Sequence, residues 1–210
     1  MKEHYYDDLL NIRTRGEQEE THHSFHYYRY EPTPYSALEV LFKQYELKSH
    51  DHIVDFGCGK GRLVFYLHYL SNCSTVGVEM SGDLYQQALE NRKGYLKKMR
   101  KGGEGIRFFH GIAEEYPIDP LDNRFYFFNP FSIQIFMNIV KNILISMEQS
   151  EREVELILYY CSDDYLYFLE NQTLFELKQE IILPRIYDHN PYERFLIYRL
   201  DNRTSIFEKK

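Results

Sequence analysis

Ile53-Val54-Asp55-Phe56-Gly57-Cys58-Gly59-Lys60-Gly61-Arg62, followed at once by Leu63-Val64-Phe65-Tyr66-Leu67, is the stretch on which the fold of this chain turns. A short run of strand-forming residues enters a loop with glycine at alternate positions, and an apolar run of helical character leaves it. The pattern reads as a buried strand, a glycine loop and the first turns of a helix. Glycines there let backbone come close to a ligand, and a new helix offers N–H groups that have no intrahelical partner. The loop reads as the cradle of a cofactor.

Outward from the loop, strands and helices alternate. Upstream, Leu38, Val40, Leu41, Phe42 and Tyr45 predict a helix over 35–45, with Thr33 as its cap and Pro34 at the first helical position. Downstream, the loop helix covers 61–70, a strand 75–78, a helix capped by Ser81 81–98, and a strand 106–110. Strands at 124–128 and 154–160 flank a helix at 133–147, and Ser162 or Asp163 caps a short helix ending at Leu169. Two last strands, 174–183 and 194–200, are joined by a turn around Asp188-His189-Asn190-Pro191. Strands that are apolar throughout belong to a parallel sheet covered on both faces. The expected class is α/β: a doubly wound, mostly parallel sheet of seven strands.

Composition narrows the function. A chain of 210 residues with 43% hydrophobic and 27% charged residues suits one soluble globular domain. The polar start predicts no signal peptide, and no apolar run reaches membrane-spanning length. Cys58, Cys73 and Cys161 are few and scattered, which fits a reduced cytoplasmic protein better than a disulfide framework or zinc site. A net charge of −7 argues against a large polyanionic partner. Arg92, Lys93, Lys97, Lys98, Arg100 and Lys101 read as a solvated helix end that complements the helix dipole, with a nucleic-acid footprint as the alternative. Residues 1–30 read as an extension or lid, rich in Tyr and His, ahead of a domain over 31–210. Within them His22, His23 and His26 have metal-like spacing but no acidic or Cys ligand nearby, so no metal is expected.

Spacing then separates the cofactors. Dinucleotide sites carry G-x-G-x-x-G, whereas this loop is G-x-G-x-G with Arg62 where the third glycine would fall. Asp55 precedes the loop. The second strand leads into Glu79, about twenty residues on, where a carboxylate can accept both hydroxyls of a ribose. Asp55-x-Gly57-x-Gly59-x-Gly61 with Glu79 resembles the cofactor signature of the class I S-adenosylmethionine-dependent methyltransferases, and the likeness runs from about residue 30 to 200. The glycine count alone leaves two alternatives open: a nicotinamide dehydrogenase, and a tight turn without a ligand.

The resemblance implies S-adenosylmethionine as methyl donor, held by Asp55, Gly57, Gly59, Gly61 and Glu79, and a sheet with helices on both faces closed by an antiparallel hairpin. Gly111-Ile112-Ala113-Glu114 resembles the family's Gly-Asp-Ala stretch, with Ile112 departing from it, and implies an adenine site at the backbone of Ala113 or at Glu114. Asn129-Pro130-Phe131-Ser132 resembles the Asn-Pro-Pro-Tyr or Asn-Pro-Pro-Phe motif of enzymes that methylate amino or amide nitrogens, although its second proline is missing. It implies that Asn129 accepts from the target NH₂ while Phe131 stacks on it. A plain strand-end turn is the alternative. Tyr30-Glu31-Pro32-Thr33-Pro34-Tyr35 resembles the Tyr-Thr-Pro segment that touches the methionine part of the cofactor and places Thr33 there, or simply at a helix cap. The expectation is methylation of a nitrogen without an obligate base or metal. The alternatives are O-methylation with Asp163 or His110 as base, or a cofactor-binding scaffold without activity. A small molecule or protein group is favoured as acceptor over nucleic acid, with no membrane partner.

Overall fold

The computed structural model describes residues 2–16, 30–100, 104–184 and 187–200. Its strands are β1 (His52–Phe56), β2 (Ser74–Glu79), β3 (Ile106–His110), β4 (Arg124–Phe127), β5 (Val154–Tyr159), β6 (Glu176–Ile182) and β7 (Arg194–Leu200). They form one sheet in the order β3-β2-β1-β4-β5-β7-β6. β1 to β5 run parallel, and β7 lies antiparallel between β5 and β6. The helices are α1 (Lys2–Leu10), α2 (Tyr35–Gln44), α3 (Arg62–Ser71), α4 (Gly82–Met99), α5 (Ile133–Gln149) and α6 (Asp163–Gln172). A short 3-10 turn covers Ala113–Glu115.

Neighbouring residues of a strand point to opposite faces, and here both faces are apolar. Val54, Phe56, Phe125, Phe127, Leu156 and Leu158 meet α5 and α6 through Phe136, Ile139, Tyr165 and Leu169. Ile53, Tyr126, Ile157 and Phe195 meet Leu38 and Leu41 of α2, Phe65 of α3, Tyr95 of α4 and Leu10 of α1. That double cover is why the strands read as unbroken apolar runs. Strand order reverses between β1 and β4, so the loops that follow these two strands flank the crevice where open α/β sheets take their ligands.

Two local expectations fail. The reading of residues 1–30 contained no helix, yet α1 forms and packs against α2, α3 and α4. Polar groups anchor it more than an apolar stripe does, which is why periodicity misses it. Asp7, buried, accepts from the Thr14 N–H at 3.0 Å, the Thr14 hydroxyl at 2.8 Å and the Tyr35 hydroxyl at 2.9 Å. Nor does Thr33 cap α2: Pro34 stands at the N-cap, one place earlier than expected, without a side-chain cap bond. The Tyr35 N–H donates instead to Glu3 of α1 at 2.9 Å. A carboxylate from another helix has taken over the capping role.

At the amino ends of the strands, Glu155 is fully buried and fully engaged. Tyr45 donates to it at 2.5 Å and Lys178 at 2.5 Å, with Arg124 at 3.5 Å.

Candidate cofactor and acceptor site

The glycine loop is shaped by backbone that side chains would strain. Gly57, Gly59 and Gly61 have φ of +78°, +54° and +84°. A Cβ on Gly57 would lie 3.0 Å from Pro130, and one on Gly59 would lie 2.0 Å from the ring of Tyr30. The N–H groups of Gly57 and Cys58 donate to Val78 at 2.9 and 3.0 Å and pin the loop to the end of β2. Glu79 finishes that strand and is buried. Its two oxygens accept from Gly59 N–H and Ser81 N–H, each at 2.8 Å. Each carboxylate oxygen keeps a second lone pair for a ligand hydroxyl.

Residues that the sequence reading did not use hold this loop from behind. Arg62, buried, donates from Nε to the Thr14 hydroxyl at 2.8 Å, and from Nη1 to Glu3 and to the Thr33 carbonyl. Its guanidinium lies 4.5 Å from the centre of the Tyr35 ring. Asn91 of α4 donates to the carbonyls of Lys60 at 2.9 Å and Arg13 at 3.1 Å, and accepts from Arg13 N–H at 2.7 Å. Lys60 donates to the Arg15 carbonyl at 3.1 Å. Residues 2–16 therefore clamp the loop. The one visible signal was an arginine where a dinucleotide site has glycine.

Electrostatics favour a cationic guest. Burial, and then the neighbouring Glu79, raise the Asp55 carboxyl from 3.8 to about 8. Burial also raises Glu79, opposed by the N–H groups around it. Among the described residues, no cation forms an ion pair with either carboxylate. An acid such as Glu79 serves a ribose in either kind of cofactor, but the pyrophosphate of a nicotinamide dinucleotide at the glycine loop would meet Asp55, which weighs against a dehydrogenase.

Across the crevice, Asn129 lies two residues past β4 with φ of +40°, unusual for a residue with a side chain. Its Oδ1 is buried and has no hydrogen-bond partner among the described residues. The ring of the next residue, Pro130, packs on Gly57. The two loops touch.

No family model and no curated protein matches the chain. Solved structures do. An RNA methyltransferase from Salinibacter ruber in complex with S-adenosyl-L-homocysteine superposes with a TM-score of 0.59 at 17% identity, over 85% of this chain and 98% of that one. The StiE O-MT fragment 942–1257 gives 0.55 at 13% identity, over 80% and 74%. Streptococcus pneumoniae Sp1610, a proposed tRNA (m1A22) methyltransferase, gives 0.55 at 16% identity, over 78% and 68%. The chain shares the fold of these three structures.

In this fold Asp55, Gly57, Gly59 and Gly61 lie at the end of β1 and in the loop after it, Glu79 ends β2 beside Gly59, and Asn129 follows β4 next to the Pro130 that packs on Gly57. Ala113 lies buried in the 3-10 turn after β3, where Gly111 N–H donates to the Glu79 carbonyl at 3.1 Å. Beside Glu79, Met80 and Ile112 expose apolar side chains that the sequence reading left unassigned. Thr33 is buried, and its hydroxyl bonds that of Tyr126 at 2.8 Å.

Phe131 was expected to stack on the acceptor. It is only 3% exposed, its carbonyl accepts from the Tyr165 hydroxyl at 2.7 Å, and its ring edge faces Gly57. A ring packed that deeply supports the loop. The two candidate bases are also engaged. His110 bonds the Met80 carbonyl at 3.2 Å and stacks on Tyr85, and Asp163 accepts from the Tyr192 hydroxyl at 3.2 Å. Ser162 occupies the N-cap of α6 without a side-chain cap bond, while Ser81 caps α4 as expected. His22, His23 and His26 lie outside the described residues. Among the described residues, no helix is long and apolar enough to cross a membrane, and no group of three potential metal ligands gathers.

Proposed function

We propose that this chain transfers the methyl group of S-adenosylmethionine to a nitrogen acceptor. The observation that carries the reading is the amide oxygen of Asn129: buried, without a partner among the described residues, and next to the glycine loop. An unpaired buried acceptor is costly, and a ligand N–H, like an O–H, would satisfy it.

The residues fit the cofactor. Asp55 answers its cationic methionine end, Glu79 offers lone pairs to its ribose, and Met80 and Ile112 flank the place for a planar base, with Ala113 behind and Thr33 on the methionine side. The cofactor supplies a methyl group activated on a sulfonium. Asn129 would accept from the acceptor's N–H, turning the nitrogen lone pair toward the crevice, and such positioning is a large part of what a methyl transfer needs. An amine attacks while neutral and sheds its proton afterwards, so no base is assigned.

Residues 31–200 would form the methyltransferase domain, with 2–16 as its clamp. The free, buried thiols Cys58, Cys73 and Cys161 suit the reducing cytoplasm. Size-fractionated lysate incubated with methyl-labelled cofactor tests the reading. Label should enter an amine-bearing fraction with the wild-type chain and fall with Asn129→Ala. Cofactor binding without label in any fraction would instead identify a scaffold.

A further inference from the structure

Beyond Asn129, the carboxyl end of the sheet turns aromatic and acidic. The ring of Phe128, one residue before Asn129, lies 4.6 Å from that of Tyr159, which stacks on Phe195 at 4.6 Å. Tyr160 follows at φ of +53°, with its ring 5.6 Å from Tyr192. Carboxylates fix the tyrosines: Glu193 accepts from Tyr159 at 2.5 Å and Asp163 from Tyr192 at 3.2 Å, while Asn190 donates to Tyr160 at 2.9 Å. Glu31, exposed on the segment before α2, is close enough to oppose ionisation of Tyr159. The nearby cation Arg194 is paired with Glu180 at 2.7 Å.

We propose that this wall of Phe128, Tyr160 and Tyr192, backed by the buried Tyr159 and edged by Glu31, Glu193 and Asp163, recognises an acceptor that is an aliphatic amine carrying a second, cationic group. The inference rests on the methyltransferase reading above and names its substrate class. Aromatic faces and carboxylates together bind cations and repel phosphate. The reacting nitrogen at Asn129 has to be neutral, so the cation that the wall reads is a different group of the same molecule. In the transfer, the amine lone pair forms the N–C bond as the C–S bond breaks. The bonding pair stays on sulfur, giving S-adenosylhomocysteine, and the new ammonium releases its proton to water.

Spermidine is a probe of this class, and a short RNA hairpin is its opposite. Each is titrated calorimetrically into the full chain saturated with S-adenosylhomocysteine. Spermidine should bind, weakening about fivefold to tenfold in Glu193→Gln and again in Tyr192→Leu, while the RNA gives no heat. Gln still accepts from Tyr159, and Asp163→Asn offers an exposed second variant. Absence of spermidine binding, equal affinity in all variants, or binding of the RNA instead would overturn the inference. Failure of S-adenosylhomocysteine to bind would refute the methyltransferase reading separately, and the spermidine titration of the free chain would still report on the wall.

Discussion

Glu155 and Asp55 are both buried carboxylates of one sheet, and the fold treats them in opposite ways. Glu155, at the amino end of β5, is met by Tyr45, Lys178 and Arg124. Asp55, near the carboxyl end of β1, meets Glu79 and the floor of the glycine loop, and burial raises its carboxyl to about 8. A fold able to surround one acid with three donors leaves the other without a cation among the described residues. Without such a partner Asp55 keeps its proton up to about pH 8 unless something cationic arrives to offset its charge. The contrast separates the end of the sheet that holds the chain together from the end that waits for a ligand.

The sharpest break of this comparison is Glu155→Ala. It strands the donors of Lys178 and Tyr45 and should cost about 3–5 kcal/mol in urea unfolding. If that substitution proves as mild as Asp55→Asn, the two acids do not differ as described. Next comes Gly59→Val, which forces a side chain into the Tyr30 ring at a positive φ. Cofactor affinity should fall about 100-fold or more with the circular dichroism of the fold retained, and unchanged affinity would remove the loop from the site. Asn129→Ala should lower transfer about 100-fold and leave cofactor affinity within about twofold.

The smallest effect is one of pH. Between about 4 and about 8 the folded chain keeps on Asp55 a proton that the unfolded chain, with its carboxyl at 3.8, has released. Stability attributable to this group therefore falls as pH rises through that window and levels off above it. Asp55→Asn should flatten the slope, so that the variant melts a few degrees higher than the wild type at pH 8 and alike at pH 4. Melting curves at several pH values check this.

Much of this contrast was open to a reader of the sequence, and part was not. The order of elements followed from unbroken apolar strands and from caps such as Ser81, because both express local physics. That Asp55, the three glycines, Glu79 and Asn129 lie at or just past strand ends was legible because spacing to strand ends is a short-range property. Arg62, Asn91, Glu3 and Thr14 were not, since each acts through a partner distant in sequence: Arg62 to Glu3 spans 59 positions and Asn91 to Arg13 spans 78. The burial of Phe131 was not legible, because a motif letter fixes a ring's place in the chain and says nothing of its burial. Glu155 went unremarked because an acid inside an apolar strand has no local signature of its partners.

The most direct measurement is a calorimetric titration of S-adenosylmethionine into the wild-type chain between pH 6 and 7.5, in buffers of different ionisation heat. A cationic guest should draw Asp55 toward its carboxylate. The account predicts a single site, binding that tightens as pH rises, and protons released on binding, with both the pH dependence and the release lost in Asp55→Asn. Absence of binding across that range, wild-type affinity with no pH dependence, or binding of NADH in its place would contradict it.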